Sequence, residues 1–267
     1  MNRLPAVAGR FYPSDRVELS KQVKKYSAAS SKKVFALGCV VPHAGYMYSG
    51  QVAGAVYASL EIPSRCILIG PRHFPRGESM AILSQGSWQT PLGNAAIDSA
   101  LAAELMHACP RLREDAVAHE REHSLEVQLP FLQQMVSDFR FVPIVLGIDR
   151  YPLLEELGRA VAQVIRTHKE KILVIASSDM NHYESDAITR VKDNRAIERI
   201  LALDPRGLYD VVRGEEISMC GYASTVAMLV ATIELGGKEA KLIRYATSGD
   251  VTGDFESVVG YAGIIVR

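Results

Sequence analysis

The chain has no excess of charge of either sign. Lys+Arg and Asp+Glu are both 30 among its 267 residues, so the net charge is near zero. That balance argues against a broad nucleic-acid-binding or anionic-membrane surface. No apolar run approaches the roughly 18 residues that a membrane span needs. The opening MNRLPAVAGRFYPSD lacks the long apolar stretch of a secretory signal. A cytoplasmic protein with neither nucleic acid nor membrane as partner is therefore expected. The four cysteines, Cys39, Cys66, Cys109 and Cys220, are far apart and form no C-x-x-C pair. Cys39 and Cys66 lie inside apolar runs and read as small buried hydrophobes in a reducing compartment. Cys220, before Gly221, is not assigned by its setting. A P-loop and a G-x-G-x-x-G fingerprint are absent, so nucleotide binding has no support. The absence of G-x-S-x-G weakens a serine-hydrolase reading. There is no internal repeat, low-complexity tract or linker, so residues 1–267 read as a single domain.

What is present is an ordinary globular composition, 48% hydrophobic and 22% charged. Short apolar runs alternate with helical patterns. Val34–Val41, Arg65–Gly70, Met80–Leu83, Phe139–Leu146 and Lys171–Ala176 read as strands, and two more lie at Ala240–Ala246 and Ser257–Val266. The near-continuous apolar character of several of them is that of strands covered on both faces. Helices are expected between them, including Glu122–Met135, which Pro130 should kink or divide. Arg111–Arg121 is charged and reads as loop. The whole pattern predicts an α/β fold with a mostly parallel central sheet and helices on both faces.

In such a sheet, ligands bind beyond the carboxyl ends of the strands. His43 follows the first strand, in Pro42-His43-Ala44-Gly45. His73 follows the second. Asp179 and His182 follow the strand that ends at Ala176, and the loop 248–254 (SGDVTGD) joins the last two strands. Histidines and carboxylates brought by several strands to one rim could build a metal centre or an acid/base site. Each has a plainer alternative. A lone histidine can be a hydrogen-bonded structural residue, Asp179 can cap a helix, and SGDVTGD can be a glycine turn. Glu122, His123 and Glu126 sit together at a helix start, where His123 could move protons or support a ligand. His107, His119 and His168 read as surface residues.

Six stretches taken together, LPAVAGRFYP (4–13), PHAGYMYSG (42–50), IGPRH (69–73), EHSLEVQLPFL (122–132), SSDMNHY (177–183) and YATSGDVTGD…VVGYA (245–262), resemble the Memo family. Its prokaryotic members are also called protein B of the AmmeMemoRadiSam system. The resemblance runs in order along nearly the whole chain. It implies a fold similar to the catalytic subunit of class III extradiol dioxygenases of the LigB type, which hold non-haem Fe(II) through two histidines and a carboxylate. On that footing His43 and His73 are the expected histidine ligands. His182 and Asp179 line the pocket as expected catalytic residues, His123 approaches the place of a catalytic base, and His182 or His123 would move protons. In the human relative a cysteine occupies the 248–254 loop. Here Asp250 is the expected third ligand, since it would restore the two-His-one-carboxylate set, with Asp254 as the fallback.

The resemblance implies three functions. The first is a metal-dependent oxidoreductase, with Fe(II) or copper. The second is a zinc-dependent hydrolase on the same ligands. The third is a non-catalytic module that docks a peptide or protein on a vestigial pocket. The family name also implies a functional link to a radical-SAM enzyme and an AMMECR-type protein.

Overall fold

The computed structural model describes residues 2–28 and 32–267. In chain order the strands are β1 (Asn2–Arg3), β2 (Gly38–Val41), β3 (Arg65–Pro71), β4 (Met80–Ile82), β5 (Ser87–Thr90), β6 (Gly93–Ile97), β7 (Arg113–Glu114), β8 (Arg140–Leu146), β9 (Ile172–Ser177), β10 (His182–Glu184), β11 (Ala240–Thr247) and β12 (Val258–Val266). The helices are α1 (Arg16–Tyr26), α2 (Tyr46–Ala58), α3 (Ser99–Ala108), α4 (Val117–Glu120), α5 (Leu129–Met135), α6 (Tyr151–Thr167), α7 (Asp186–Leu201), α8 (Pro205–Gly214), α9 (Tyr222–Glu234) and α10 (Gly249–Thr252). Among the described residues the strands join into one mixed sheet, ordered β1-β5-β6-β8-β3-β9-β2-β12-β10, with β11 beside β12 and β4 and β7 on a branch from β8. The central strands β8, β3, β9 and β2 are parallel neighbours. β12 closes against β2 in the antiparallel sense.

The period of two along a strand decides which core each residue enters. Val40, Ile67, Ile69, Val142, Ile144, Val174 and Ala176 face one cluster, built with α3, α6, α7, α8 and α9. Cys39, Val41, Cys66, Leu68, Val145, Leu173 and Ile175 face the other, built with α1, α2 and α5. The expected α/β architecture, with helices on both faces, is therefore what forms. Cys39 and Cys66 are fully buried, as their apolar settings predicted.

Three local expectations differ. The strand expected from Val34 pairs only from Gly38 onward, and Val34 itself makes a single bridge to Leu60. The helix expected over 122–135 is broken into a 3-10 turn at Glu126–Gln128 and α5. Pro130 occupies the first turn of α5, where its missing N–H costs nothing. The segment read as loop at 111–121 contains β7 and α4.

The N-terminal arm completes one edge of the sheet. β1 lies parallel to β5, and the Glu126 carboxylate gathers the arm from Arg3 to Tyr12 around itself. Its two oxygens accept from Arg3 Nη1 at 2.7 Å, Ala6 N at 2.8 Å, Val7 N at 3.0 Å and the Tyr12 hydroxyl at 2.7 Å. No helix among the described residues is long and apolar enough to cross a membrane.

Candidate metal centre

Three adjacent parallel strands, β3, β9 and β2, end at the same rim. They release His73, Asp179 and His43 within two residues of their last paired positions. The His43 and His73 rings meet edge to face with centroids 5.2 Å apart, and His123 stacks on His73 at 4.5 Å. A fourth strand-end residue, His182, opens β10.

The chain fixes which nitrogen of each ring carries the proton. The Ser177 hydroxyl donates to the Ser124 carbonyl at 2.6 Å and accepts from Gln128 Nε2 at 2.9 Å. With its own proton committed, Ser177 Oγ accepts from His43 Nδ1 at 2.9 Å. His73 Nδ1 lies 2.8 Å from Glu122 Oε1, and His182 Nδ1 lies 2.9 Å from the Ser218 carbonyl. Each partner is an acceptor, so each Nδ1 is an N–H, and in the neutral ring Nε2 is the nitrogen left to act as a ligand. This is the arrangement that orients a metal-ligating imidazole.

Cys220 supplies the donor that strand-end reasoning missed. Its Sγ lies 3.2 Å from His43 Nε2. It arrives from the turn before α9, where Gly221 N donates to Ser178 Oγ at 3.1 Å. A Cβ on Gly221 would come within 2.3 Å of the Ser177 carbonyl oxygen and 2.5 Å of Ser178 Cβ, so only glycine lets this turn lie against the end of β9. His43, His73 and Cys220 each present one ligand atom within 4.8 Å of the others. Two further triads, His73 with Glu122 and His123, and Asp179 with His182 and Cys220, meet the same limit. The sequence signal for Cys220 was slight: the one cysteine directly followed by glycine.

The structure does not bring Asp250 to this group. Its carboxylate accepts from Thr247 N at 2.8 Å and faces Arg190 Nη2 at 3.1 and 3.3 Å, on the exposed turn of α10. A carboxylate already neutralised by a guanidinium at the surface has little reason to turn inward. Asp254, the fallback, is also exposed, and its Oδ1 accepts from Glu256 N at 3.0 Å. Among the described residues, the side chain grouped with the histidine pair as a candidate third ligand is Cys220.

Asp179 is buried. Its Oδ1 accepts from the backbone of His43 at 2.7 Å and Ala44 at 3.2 Å, and its Oδ2 lies 3.9 Å from His43 Nε2. The loop that carries Asp179 and His182 is itself held from below. Asn181 N donates to Asp193 Oδ1 at 2.8 Å, and Met180 N donates to the Gly260 carbonyl.

Electrostatics favour the neutral imidazole at His43 and His123, while at His73 burial is outweighed by the hydrogen bond and charge of Glu122, which raise its pKa. Burial, with the neighbouring His73, lowers the His43 pKa well below its usual value. Burial and the two other histidines pull His123 down to about 4. Burial alone would raise Glu122, but the hydrogen bond and charge of His73 dominate and hold it at about 2. Burial pushes the Cys220 thiol well above its ordinary range, with Asp179 adding to the effect. Without a cation, then, Cys220 is a protonated thiol and not a free nucleophile.

His119 is not the surface residue its setting suggested. It is buried, its Nδ1 donates to the Asp115 carbonyl at 2.8 Å, and burial lowers it to about 4. His119-Glu120-Arg121-Glu122-His123 has the H-E-x-x-H spacing, a pattern that reading by strand ends passes over. α4 ends at Glu120, so the two histidines do not share a helical face. His119 packs against Trp88 while His123 stacks on His73. The zincin arrangement is not formed.

A family model described as "Memo-like protein" matches residues 3–265. The chain is similar to a MEMO1 family protein of Methanopyrus kandleri, 41% identical over 281 residues that cover 100% of this chain and 99% of that protein. A relative from Pyrobaculum arsenaticum is 42% identical, with 98% of each chain covered. Among solved structures, an uncharacterized protein of Escherichia coli K12, JW3007, superposes with a TM-score of 0.60 at 14% identity. That match covers 85% of this chain and 98% of the other, and at such identity it speaks for the fold alone.

Proposed function

The chain belongs to the Memo family, and we propose that this protein is a metal-dependent oxidoreductase whose ion sits on His43, His73 and Cys220. One observation carries the reading. Both histidines are pinned at Nδ1 by acceptors, and Cys220 Sγ lies 3.2 Å from Nε2 of His43. Two imidazoles and a sulfur suit iron, copper or zinc, and the sulfur favours the softer ions over magnesium or calcium. When bound, iron or copper supplies one-electron redox chemistry and an electrophilic position for a small substrate.

The chain's own residues supply the rest. Glu122 orients His73 and remains charged through the acid range. Cys220 gives up its proton on engaging a cation. His123, neutral and one-sixth exposed, is placed to take a proton from a substrate at the rim, with the Glu122 carboxylate 3.6 Å from its Nδ1. The test is anaerobic Fe(II) or Cu(I) binding followed by O₂ uptake with catechol-type substrates. Binding that His43→Ala and Cys220→Ser both abolish supports the assignment. Binding indifferent to both removes it, and binding without O₂ uptake leaves the zinc-hydrolase chemistry to be assayed on the same ligands.

One feature favours docking as a second reading. Tyr183 follows His182 at the rim with its side chain 78% exposed and a positive φ of 62°. A large exposed aromatic held in an unfavourable backbone conformation beside a site fits contact with a peptide or protein. Pull-down that survives His43→Ala but fails for Tyr183→Ala would favour it.

A further inference from the structure

The segment that carries Glu122 and His123 has little regular structure of its own. Residues 121–125 lie between α4 and the 3-10 turn at Glu126–Gln128, in neither a helix nor a strand. Buried backbone in such a stretch must find partners elsewhere. Arg3 supplies them. Its Nε donates to the His119 carbonyl at 2.7 Å, its Nη2 to the Glu122 carbonyl at 2.6 Å and its Nη1 to Glu126 Oε2 at 2.7 Å. The three nitrogens of one guanidinium thus grip the segment at His119, Glu122 and Glu126. Among the described residues the Glu122 carbonyl accepts no other hydrogen bond. Arg3 is itself fixed. Its backbone pairs with Trp88 across β1 and β5, its guanidinium lies 4.1 Å from the centroid of the Trp88 ring, and it is buried.

Glu122 passes this hold to the site. Its carbonyl is tied to the N-terminal arm, while its carboxylate accepts from His73 N at 2.6 Å and His73 Nδ1 at 2.8 Å. The next residue, His123, has less to hold it. Its Nδ1 stands 3.6 Å from Glu122 Oε1, outside hydrogen-bond reach. The ring is placed by its backbone, by stacking on His73 and by the edge of Phe11, a second residue of the same arm, at 4.8 Å. A lysine in place of Arg3 would keep a charge opposite Glu126 but not the planar fork that also reaches two carbonyls.

We propose that Arg3 is a positioning residue of the site, holding the Glu122 carboxylate against His73 and the His123 ring over it through the backbone of 119–126. This rests on the roles given above to Glu122 and His123 and adds what sets their geometry. The ion pair with Glu126 alone would make Arg3 a fastener of the arm. The two carbonyl contacts tie the edge of the sheet, through β5, β1 and Arg3, to the residues that face a substrate.

The test is nuclear magnetic resonance of the metal-free full chain, isotopically labelled at histidine, with each ring assigned by single histidine variants. Arg3→Lys should speed exchange of the His73 Nδ1 proton by about 10-fold or more, the factor set by losing one good hydrogen bond to a charged group. It should also shift the His123 ring resonances. The His182 Nδ1 proton, held by the Ser218 carbonyl at 2.9 Å on another loop, should exchange as in the wild type. Leu157→Ala, in the core cluster on the other face of the sheet, lowers stability without touching the arm and serves as the matched control. It should leave His73 and His123 unchanged. Wild-type exchange at His73 with unmoved His123 resonances in Arg3→Lys overturns the proposal. So does outright unfolding of Arg3→Lys, equal acceleration at His182, or the same changes in Leu157→Ala, each of which would make Arg3 a general stabiliser. No ion enters the experiment, so its outcome is independent of the metal-binding test above.

Discussion

The sulfur of Cys220 lies 3.2 Å from Nε2 of His43, although 177 positions of sequence separate the two residues. Neither could be brought there without the other's element. His43 is the first turn beyond β2, and Cys220 is the last turn before α9, which packs along the sheet beside β9 and β2. The contact joins the chain's first reactive loop to one of its last and turns a pair of histidines into a mixed nitrogen–sulfur donor set.

The first prediction separates that sulfur from the carboxylate expected in its place. Cys220→Ser should weaken Fe(II) or Co(II) binding by more than the roughly 10- to 100-fold that loss of an outer partner to a ligating histidine costs. Asp250→Asn should leave metal affinity unchanged, since Arg190 and Thr247 already occupy its oxygens. Titration of the two variants side by side gives the answer. A large loss in Asp250→Asn with none in Cys220→Ser would return the third ligand to the 248–254 loop.

The contrast explains what was legible in the sequence. His43, His73, Asp179 and His182 each follow an apolar run, and strand ends at a parallel sheet converge by geometry. Their placement could therefore be read without coordinates. Cys220 follows no strand. It reaches the rim because Gly221 lets a turn lie on the backbone of β9, a tertiary relation that leaves no periodic trace. Asp250 was misplaced for the converse reason. Its loop does join two strands, but its partner Arg190 lies 60 residues away on α7, and nothing in SGDVTGD announces it. The sheet and its two helical layers were legible because alternation and run length report burial directly. The helix at 122–135 was over-extended because Leu125, Leu129 and Leu132 are all buried at helical spacing, though the chain changes its winding between them.

Glu122→Gln should show how far that carboxylate orients His73. Glu122 accepts from His73 N at 2.6 Å, His73 Nδ1 at 2.8 Å and Ser124 N at 2.9 Å. An amide keeps the shape but loses the charge and one acceptor, so metal affinity should fall about 10- to 100-fold with the fold intact. The pH dependence has a definite sign. The folded-state pKa of about 2 is below the ordinary 4.5, so Glu122 contributes stability above pH 4.5 that is lost as pH falls toward 2. Thermal unfolding of the metal-free chain between those limits should be less steeply pH-dependent in Glu122→Gln than in the wild type. Equal slopes would mean that the His73 contact does not hold the charge.

Glu126→Ala should damage the fold and leave metal specificity alone. Removing this carboxylate strands the buried Arg3 guanidinium along with Ala6 N, Val7 N and the Tyr12 hydroxyl. Loss of one partner from a buried ion pair costs about 3–5 kcal/mol. The variant should unfold at markedly lower urea concentration, with the N-terminal arm becoming sensitive to protease first. Arg3→Met with Glu126→Leu, which removes both charges, should recover part of the loss. If the single variant unfolds at the wild-type midpoint, the arm is held by its apolar contacts through Val7 and Tyr12 instead.

Gly221→Ala tests the sulfur's placement without touching any donor atom. The added Cβ would lie 2.3 Å from the Ser177 carbonyl oxygen and 2.7 Å from Ser178 Cα. Both are backbone atoms of the β9 end, and Ser177 is hydrogen-bonded into His43, Gln128 and Ser124. They cannot give way cheaply, so the turn before α9 must lift and carry Cys220 away from His43. Metal affinity should fall about as far as in Cys220→Ser, and the sulfur-to-cobalt band should weaken even though the thiol is still present. Thiol reactivity should rise at the same time, because a sulfur moved out of its buried setting loses the burial that holds its pKa up. Reaction with a neutral alkylating reagent reads this directly. An unchanged band with unchanged reactivity would mean that the turn accommodates the methyl group and that the approach of Gly221 to β9 does not position Cys220.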